Sequence, residues 1–357
     1  MLKVGLLTPY VRNEVTLAAT QFADWLTRCG IDVAILSDSK IESGIHPVWD
    51  KRVKRAHRKN VYAWAYGSTH LCWFSANSKA LQWSRLVGFD KPKFRTKHYF
   101  FPYWSHWPDR CDNFLRQSDR VICLNQDLFN WLKEHRRPNI LEYDRTWANL
   151  LPAEQVLVPK HGRVSKDQTY LMALLTSTTH LDLGEGILDV FDFLLTTRPD
   201  LWLTVVLEKS LPRNYRAKLS RLGQVHRERL TVVHNPPYYA YSDLARRHDW
   251  VYVANTRHLF GSLIYALLPS TVPLICHDVP PVGAHIQDNN NGRLIPCEVH
   301  DDSAPIAGVS LDVVGNYLDE ILDEPSIVLK ALQLTGVELF NKRQTAFERF
   351  INKEFIE

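Results

Sequence analysis

The stretch from Val251 to Pro296 constrains the fold of this chain more than any other. Val251–Ala254 is a short apolar run of the kind that forms a buried strand. Phe260, Gly261 and Ser262 make a turn, Leu263–Leu268 is apolar over a helical length, Pro269 breaks it, and Pro273–Cys276 is a second apolar run. Strand, turn, helix and strand in that order predict a βαβ unit, whose two strands lie parallel. Gly261 and Ser262 fall where the helix begins. Free backbone N–H groups and the positive end of the helix dipole there favour an anion, and a phosphate-bearing ligand is the natural candidate. The plain alternative is a βαβ unit with no ligand.

The same alternation runs through the rest of the chain. Lys3–Thr8 is a strand ending at Pro9, Val15–Cys29 carries Leu17, Phe22, Trp25 and Leu26 at helical spacing, Gly30 is a stop, and Ile31–Leu36 is a second strand. Lys97–Phe101 and Asp119–Leu124 read as strands, with helices over Arg110–Ser118 and Gln126–His135. Asn139–Gln168 has mixed polarity and no sustained period, as an interdomain hinge would. Tyr170–Thr176, Leu201–Leu207 and Leu230–Val233 are further strands. The segment around Arg213, Arg216 and Lys218 looks helical, as do Ile187–Leu195, Tyr241–His248 and Ala346–Ile356. The fold class is α/β, with two doubly wound domains. Their expected bounds are 1–150, a hinge over 151–168, 169–335, and a C-terminal helix over 336–357 that packs back on the first domain.

A chain of 357 residues has room for two such domains. Its six cysteines form no C-x-x-C pair and no metal-ligand spacing, so no metal site is expected and the thiols read as reduced. There is no signal-peptide core and no apolar run near 18 residues, so neither secretion nor a membrane span is expected. The expected location is the cytoplasm, that of the host if the gene is viral. Charge is uneven. Residues 1–150 hold 23 Lys+Arg against 14 Asp+Glu, and the remainder 20 against 25. The excess concentrates in Asp50–Lys59, which includes Lys51, Arg52, Lys54 and Arg55 ahead of VYAWAYG, and in Lys91–Lys97 ahead of HYFFPYWSHW. Cations interleaved with flat rings suit nucleic acid, the cations for phosphates and the rings for bases. The same composition suits an anionic membrane surface, or simply a solvated basic face beside an aromatic core.

Several motifs together resemble the retaining nucleotide-sugar glycosyltransferases of family 4, whose two doubly wound domains form the GT-B fold. Phe260-Gly261, Pro273-Leu274-Ile275, Asp278 and Asn291-Gly292-Arg293-Leu294 match that family's C-terminal signature, and LRQSDRVICLNQDLFNWL resembles the close of its first domain. The chain departs from the pattern at five places. His258 and Ala266 replace the two signature carboxylates, and His180 and Glu185 stand where the family's Arg and Lys hold the donor diphosphate. The glycine-rich loop after the first strand is absent, with Asn13 in its place. The resemblance implies a metal-independent sugar transfer from a nucleotide-sugar, with a UDP-sugar as the expected donor and retention of configuration.

Glycosyl transfer needs donors for the departing diphosphate and a group to take the acceptor proton. Lys209, Arg257, His258, Phe260, Gly261, Ser262 and Leu263, with Asn13, are the donor-binding candidates. His106 and Asp109 leave the C-terminal end of the Lys97–Phe101 strand, where doubly wound sheets bind ligands, and are the catalytic candidates. Lys51, Arg52, Lys54, Arg55, Trp104 and Trp107 are candidates for the acceptor. A hydroxylated pyrimidine in double-stranded DNA is the favoured acceptor, because an enzyme acting on a paired base must extrude it and hold it. The alternatives are a lipid-linked or surface glycan at an anionic membrane, and a binding protein on the same fold without chemistry.

Overall fold

The computed structural model describes residues 2–87, 96–103, 111–124, 126–134, 145–147, 168–176, 183–208, 212–254, 262–279, 282, 285–299 and 307–357. Trp104, His106, Trp107, Asp109, Lys209, Arg257, His258, Phe260 and Gly261 lie outside the described residues, as does nearly all of the expected hinge. The chain divides into two compact units. One comprises Met1–Glu154, Leu259–Tyr265 and Lys342–Glu357, the other Gln155–His258 and Ala266–Asn341.

The first unit is built on a seven-stranded sheet. Its strands are β1 (Lys3–Thr8), β2 (Asp32–Ser37), β3 (Lys54–Arg55), β4 (His70–Trp73), β5 (Lys97–Phe100), β6 (Arg120–Cys123) and β7 (Arg145–Trp147). They lie in the order β3-β2-β1-β4-β5-β6-β7, every neighbouring pair parallel. The connecting helices are α1 (Glu14–Arg28), α2 (Arg58–Tyr66), α3 (Ser78–Leu86), α4 (Cys111–Gln117) and α5 (Gln126–Glu134). Local chemistry sets the ends of α1. Asn13 Oδ1 accepts from Thr16 N at 2.8 Å, Glu14 and Arg28 complement the helix dipole, and Gly30 takes φ +78° beyond the last turn. Gly5 in β1 is required by packing: a Cβ there would meet the Trp64 indole at 2.4 Å, and that indole donates to Ala34 O.

Three short elements escape the sequence pattern. β4 and β7 are four and three residues long, and β3 only two. Such strands carry too few residues to show a period. Helix α3 is capped by Asn77, whose Oδ1 accepts from Ala80 N. Part of the aromatic stretches is core, while Tyr62 and Tyr66 are not buried. Trp49, Trp64, Trp73, Tyr99, Phe100, Phe101 and Tyr103 are buried, and Phe74 stacks on Phe101 at 4.2 Å. These rings build the core instead of offering faces to a partner.

The second unit has a six-stranded parallel sheet. Its strands are β8 (Thr169–Leu175), β9 (Leu201–Leu207), β10 (Leu230–His234), β11 (Trp250–Ala254), β12 (Leu274–His277) and β13 (Gly292–Ile295), in the order β10-β9-β8-β11-β12-β13. Helices α6 (Gly186–Thr197), α7 (Arg213–Val225), α8 (Tyr241–Ala245) and α9 (Ser262–Leu267) connect them. A two-stranded antiparallel ladder of β14 (Glu298–Val299) and β15 (Ala307–Gly308) follows, then α10 (Leu311–Leu322). Gly186 opens α6 without a side chain because Leu311 of α10 occupies the space a Cβ would take.

Strand order reverses once in each sheet, between β1 and β4 in the first and between β8 and β11 in the second. In open α/β sheets such a reversal splays the connections apart and opens a crevice at the carboxyl ends of the two strands. The last helix, α11 (Ser326–Ile351), is longer than the sequence predicts, and ends in a wider turn over Asn352–Ile356. Its first part belongs to the second unit and its end to the first. There Phe355 packs on Phe22, His70 and Tyr99 with ring centroids 5.0–5.6 Å apart, and Phe347 lies 5.4 Å from Trp25. The Tyr99 hydroxyl donates to Glu354 O at 3.2 Å, and Arg120 pairs with the Glu354 carboxylate.

Candidate active site

In the first unit, the residues leaving β1, β2 and β4 carry the polar chemistry. The Tyr10 amide donates to Ser37 Oγ at 3.0 Å, and the Tyr10 hydroxyl donates to Asp50 Oδ1 at 2.9 Å. Asp50 also accepts from the amides of Gly44, Ile45 and His46, so one carboxylate shapes the whole turn after β2. Asp38, the residue after β2, is only 4% exposed. Its Oδ2 accepts from Asn77 Nδ2 at 2.8 Å, across the end of β1. Burial pushes the Asp38 carboxyl up from its ordinary value, offset in part by Ser75, Asn77 and the charge of Lys79. Asn13 is placed beside this crest, with its carbonyl oxygen already engaged as the cap of α1.

The basic cluster lies at one edge of this sheet. Among the described residues β3 pairs only with β2, and Lys51, Arg52, Lys54, Arg55, Arg58 and Lys59 are all exposed. Among the described residues none of the six makes an ion pair. Lys54 and Arg55 also do ordinary structural work, since charge on an edge strand discourages pairing with another chain. On α2 the Tyr66 ring is 72% exposed and lies 6.5 Å from Tyr62.

In the second unit the carboxyl ends of the strands are equally polar. Glu208, directly after β9, is buried and accepts a hydrogen bond from the Tyr238 hydroxyl. The backbone turns sharply after β10, with Asn235 at φ +46° and its amide on Leu207 O at 2.8 Å. Tyr252 OH and His277 Nε2 are 2.9 Å apart inside the sheet. Asp278 is exposed at the end of β12, and its carbonyl accepts from the Cys297 thiol, which burial pushes up to about 11.

Of the positions that depart from the family signature, His180 and His258 lie outside the described residues, and Glu185 and Ala266 have definite partners. The Glu185 carboxylate accepts from the Asn214 side chain at the start of α7, and the Ala266 carbonyl accepts from Ser242 Oγ. Helix α9 begins at Ser262, Leu263 is buried, and the helix is six residues long before a 3-10 turn over Leu268–Ser270. Among the described residues no three His, Cys, Asp or Glu side chains gather as a metal ion requires. Cys29, Cys72, Cys123, Cys276 and Cys297 are free thiols.

No family profile matches the chain, and no curated protein matches its sequence. Solved structures do match over the full length. A glycosyltransferase from Rickettsia africae superposes with a TM-score of 0.69 at 12% identity, over 100% of this chain and 99% of that one. HepE of Anabaena, solved in complex with UDP, gives 0.70 at 12% identity over 99% of both chains. Sucrose-phosphate synthase from Thermosynechococcus elongatus gives 0.68 at 12% identity over 100% of both. The chain has the GT-B fold.

Within the GT-B frame, sequence reasoning passed over Asp38, Ser75, Glu208 and Tyr238. A signal existed for two of them: Asp38 and Glu208 are each the first acid after an apolar strand, at the end where such sheets bind ligands. Ser75 and Tyr238 carry no comparable mark.

Proposed function

We propose that the chain is a glycosyltransferase that moves a sugar from a nucleotide-sugar, a UDP-sugar first, to a hydroxyl acceptor. The observation that carries this reading is the full-length match to a glycosyltransferase, a sucrose-phosphate synthase and a protein solved with UDP bound. On this reading the donor is held by the amides of Gly261, Ser262 and Leu263 and by the side chains of Lys209, Arg257, His258 and Phe260. Glu185 is hydrogen-bonded to Asn214 and keeps its charge, so the diphosphate is held elsewhere on this reading. His106 and Asp109 take the acceptor proton, and the sugar is transferred with retention.

The acceptor on this proposal is a hydroxylated pyrimidine in DNA. The unpaired cationic edge formed by Lys51, Arg52, Lys54 and Arg55 supports it, as a row of phosphate contacts. Trp49, Trp64 and Tyr99 are spent on the core, and on this proposal Trp104 and Trp107 hold an extruded base. A second reading, an acceptor at an anionic membrane, is favoured by Tyr62 and Tyr66 beside Arg58 and Lys59 on α2.

Release of UDP or GDP from a panel of UDP- and GDP-sugars, alone and with hydroxymethylated duplex DNA, tests the reading. Release from one donor, quickened by the DNA, is the expected result. No release from any donor, together with no thermal stabilisation by UDP or GDP, sinks the enzymatic reading and leaves a binding protein on a GT-B frame.

A further inference from the structure

We propose that helix α7 of the second unit is a contact surface for the phosphodiester backbone of a nucleic acid. The inference deepens the reading of DNA as acceptor and rests on it only for the choice of polymer.

Helix α7 contains Arg213, Arg216, Lys218 and Arg221 and no acidic residue. Tyr215, Leu219 and Leu222 are buried and anchor one side of it in the core. At 3.6 residues per turn, Arg213, Arg216, Ser220, Arg221 and Gln224 fall on the opposite side, within an arc of about 140°. All five are exposed. The acids of the neighbouring helix α6 are already matched. Glu185 accepts from Asn214, Asp189 pairs with Lys218 at 2.5 Å, and Asp192 pairs with His226 at 2.7 Å. The three arginine side chains make no ion pair or hydrogen bond among the described residues. Arg198, Arg246 and Arg293 of the same unit each pair with an acid.

The placement of these charges is locally unfavourable. Arg213 and Arg216 begin the helix, where a cation opposes the dipole, and neither an acid in the first turn nor a side-chain cap offsets them. Natural chains break such a local rule chiefly where a partner repays the cost. The chemistry selects that partner. A guanidinium grips a phosphate with two parallel hydrogen bonds, and Ser220 and Gln224 between the arginines can bond phosphate or sugar oxygens. From Arg213 to Arg221 the helix advances about 12 Å, enough to follow several phosphates of one strand. An interfacial helix needs an apolar face to bury in lipid. Here the apolar face is spent on the core, and Val225 is the one large apolar side chain of α7 left exposed. The chain after residue 150 has an excess of acids, 25 against 20 Lys+Arg, so long-range attraction of a polyanion belongs to the other half and α7 acts at contact range.

Fluorescence anisotropy of a labelled DNA duplex, titrated with the full chain over a range of salt concentrations, tests the surface without needing turnover. The variant carries Arg213→Gln, Arg216→Gln and Arg221→Gln. It is expected to flatten the dependence of log affinity on log salt by about 2–3 and to weaken binding about tenfold or more at low salt. Its thermal midpoint is expected to equal or exceed that of wild type, because glutamine relieves the opposed dipole, and stabilisation by UDP is expected to be unchanged. Arg216→Gln alone, with a slope change of about 1, serves should the triple variant not fold. Equal affinity and slope in the variants overturn the proposal. So does weaker UDP binding, which would place the arginines at the donor, or loss of sedimentation with phosphatidylglycerol vesicles while DNA binding stays intact. Replacing Lys51, Arg52, Lys54 and Arg55 by Gln in parallel separates the two surfaces. A loss confined to that variant overturns the role of α7 and leaves the cationic edge standing, and a loss confined to the α7 variant does the reverse.

Discussion

A single imidazole shows how finely the first unit's core depends on protonation. His98 is buried, and its Nδ1 accepts from Trp73 Nε1 at 3.2 Å, which requires the neutral ring. Burial pulls its pKa down to about 4 against the pull of Asp119, and burial with the charge of Lys97 does the same to His70. Unfolded histidines titrate near 6.5. Between the two values the unfolded chain holds protons that the native one does not, so stability is full above about pH 6.5 and falls as pH drops towards 4. The loss by pH 4 is on the order of 2–3 kcal/mol per histidine. The thermal midpoint should fall steeply from pH 7 to 4.5, and less steeply in His98→Gln. An equal slope in the variant would show that His98 is not a source of the pH dependence. Asp38 makes the same point about legibility. Its type and its place after a strand can be read in the sequence, but its burial cannot, because the Asn77 that covers it arrives from 39 residues away.

At the scale of elements, the long apolar strands and capped helices were legible, and the shortest elements were not. Lys3–Thr8 and Leu201–Leu207 carry enough apolar residues to declare themselves. His70–Trp73 does not, and Trp64, in the VYAWAYG stretch whose composition suggested an exposed partner surface, is buried. Rings among cations look the same in a string whether they face a ligand or a core; only the sheet decides, and it buried them. The candidate site was less legible than the fold, since its buried oxygens depend on contacts between connections far apart in sequence. The end of α11 makes a clear prediction. Phe355 fills a pocket bounded by Phe22, His70 and Tyr99, so Phe355→Ala should cost about 3–5 kcal/mol. Urea unfolding followed by tryptophan fluorescence measures it, and a cost below 1 kcal/mol would mean that this packing contributes little.

For the whole molecule, charge and topology divide the labour. The positive excess lies in the first 150 residues and the negative excess in the rest, so a polyanion would meet one half of the chain. If Lys51, Arg52, Lys54 and Arg55 contact DNA phosphates, affinity for duplex DNA should fall linearly with the logarithm of salt concentration. The fourfold change of these residues to Gln should flatten that slope by about 3–4. Sedimentation with anionic vesicles, lost in the same variant and further weakened by Tyr66→Ser, would instead favour the membrane reading. An unchanged slope and unchanged sedimentation would reduce the cluster to a protected sheet edge.

The return of α11 to the first unit has a consequence for synthesis. A ribosome delivers β1 through β7 first, yet Phe22, Tyr99 and Trp25 gain Phe355 and Phe347 only when the end of α11 and the turn after it emerge. The nascent first unit waits, with an aromatic face uncovered, while the second is made in full. The earlier half is thus completed only after the second unit has been made, and a product cut short before the end of α11 would display that face to chaperones and proteases as a mark of unfinished work.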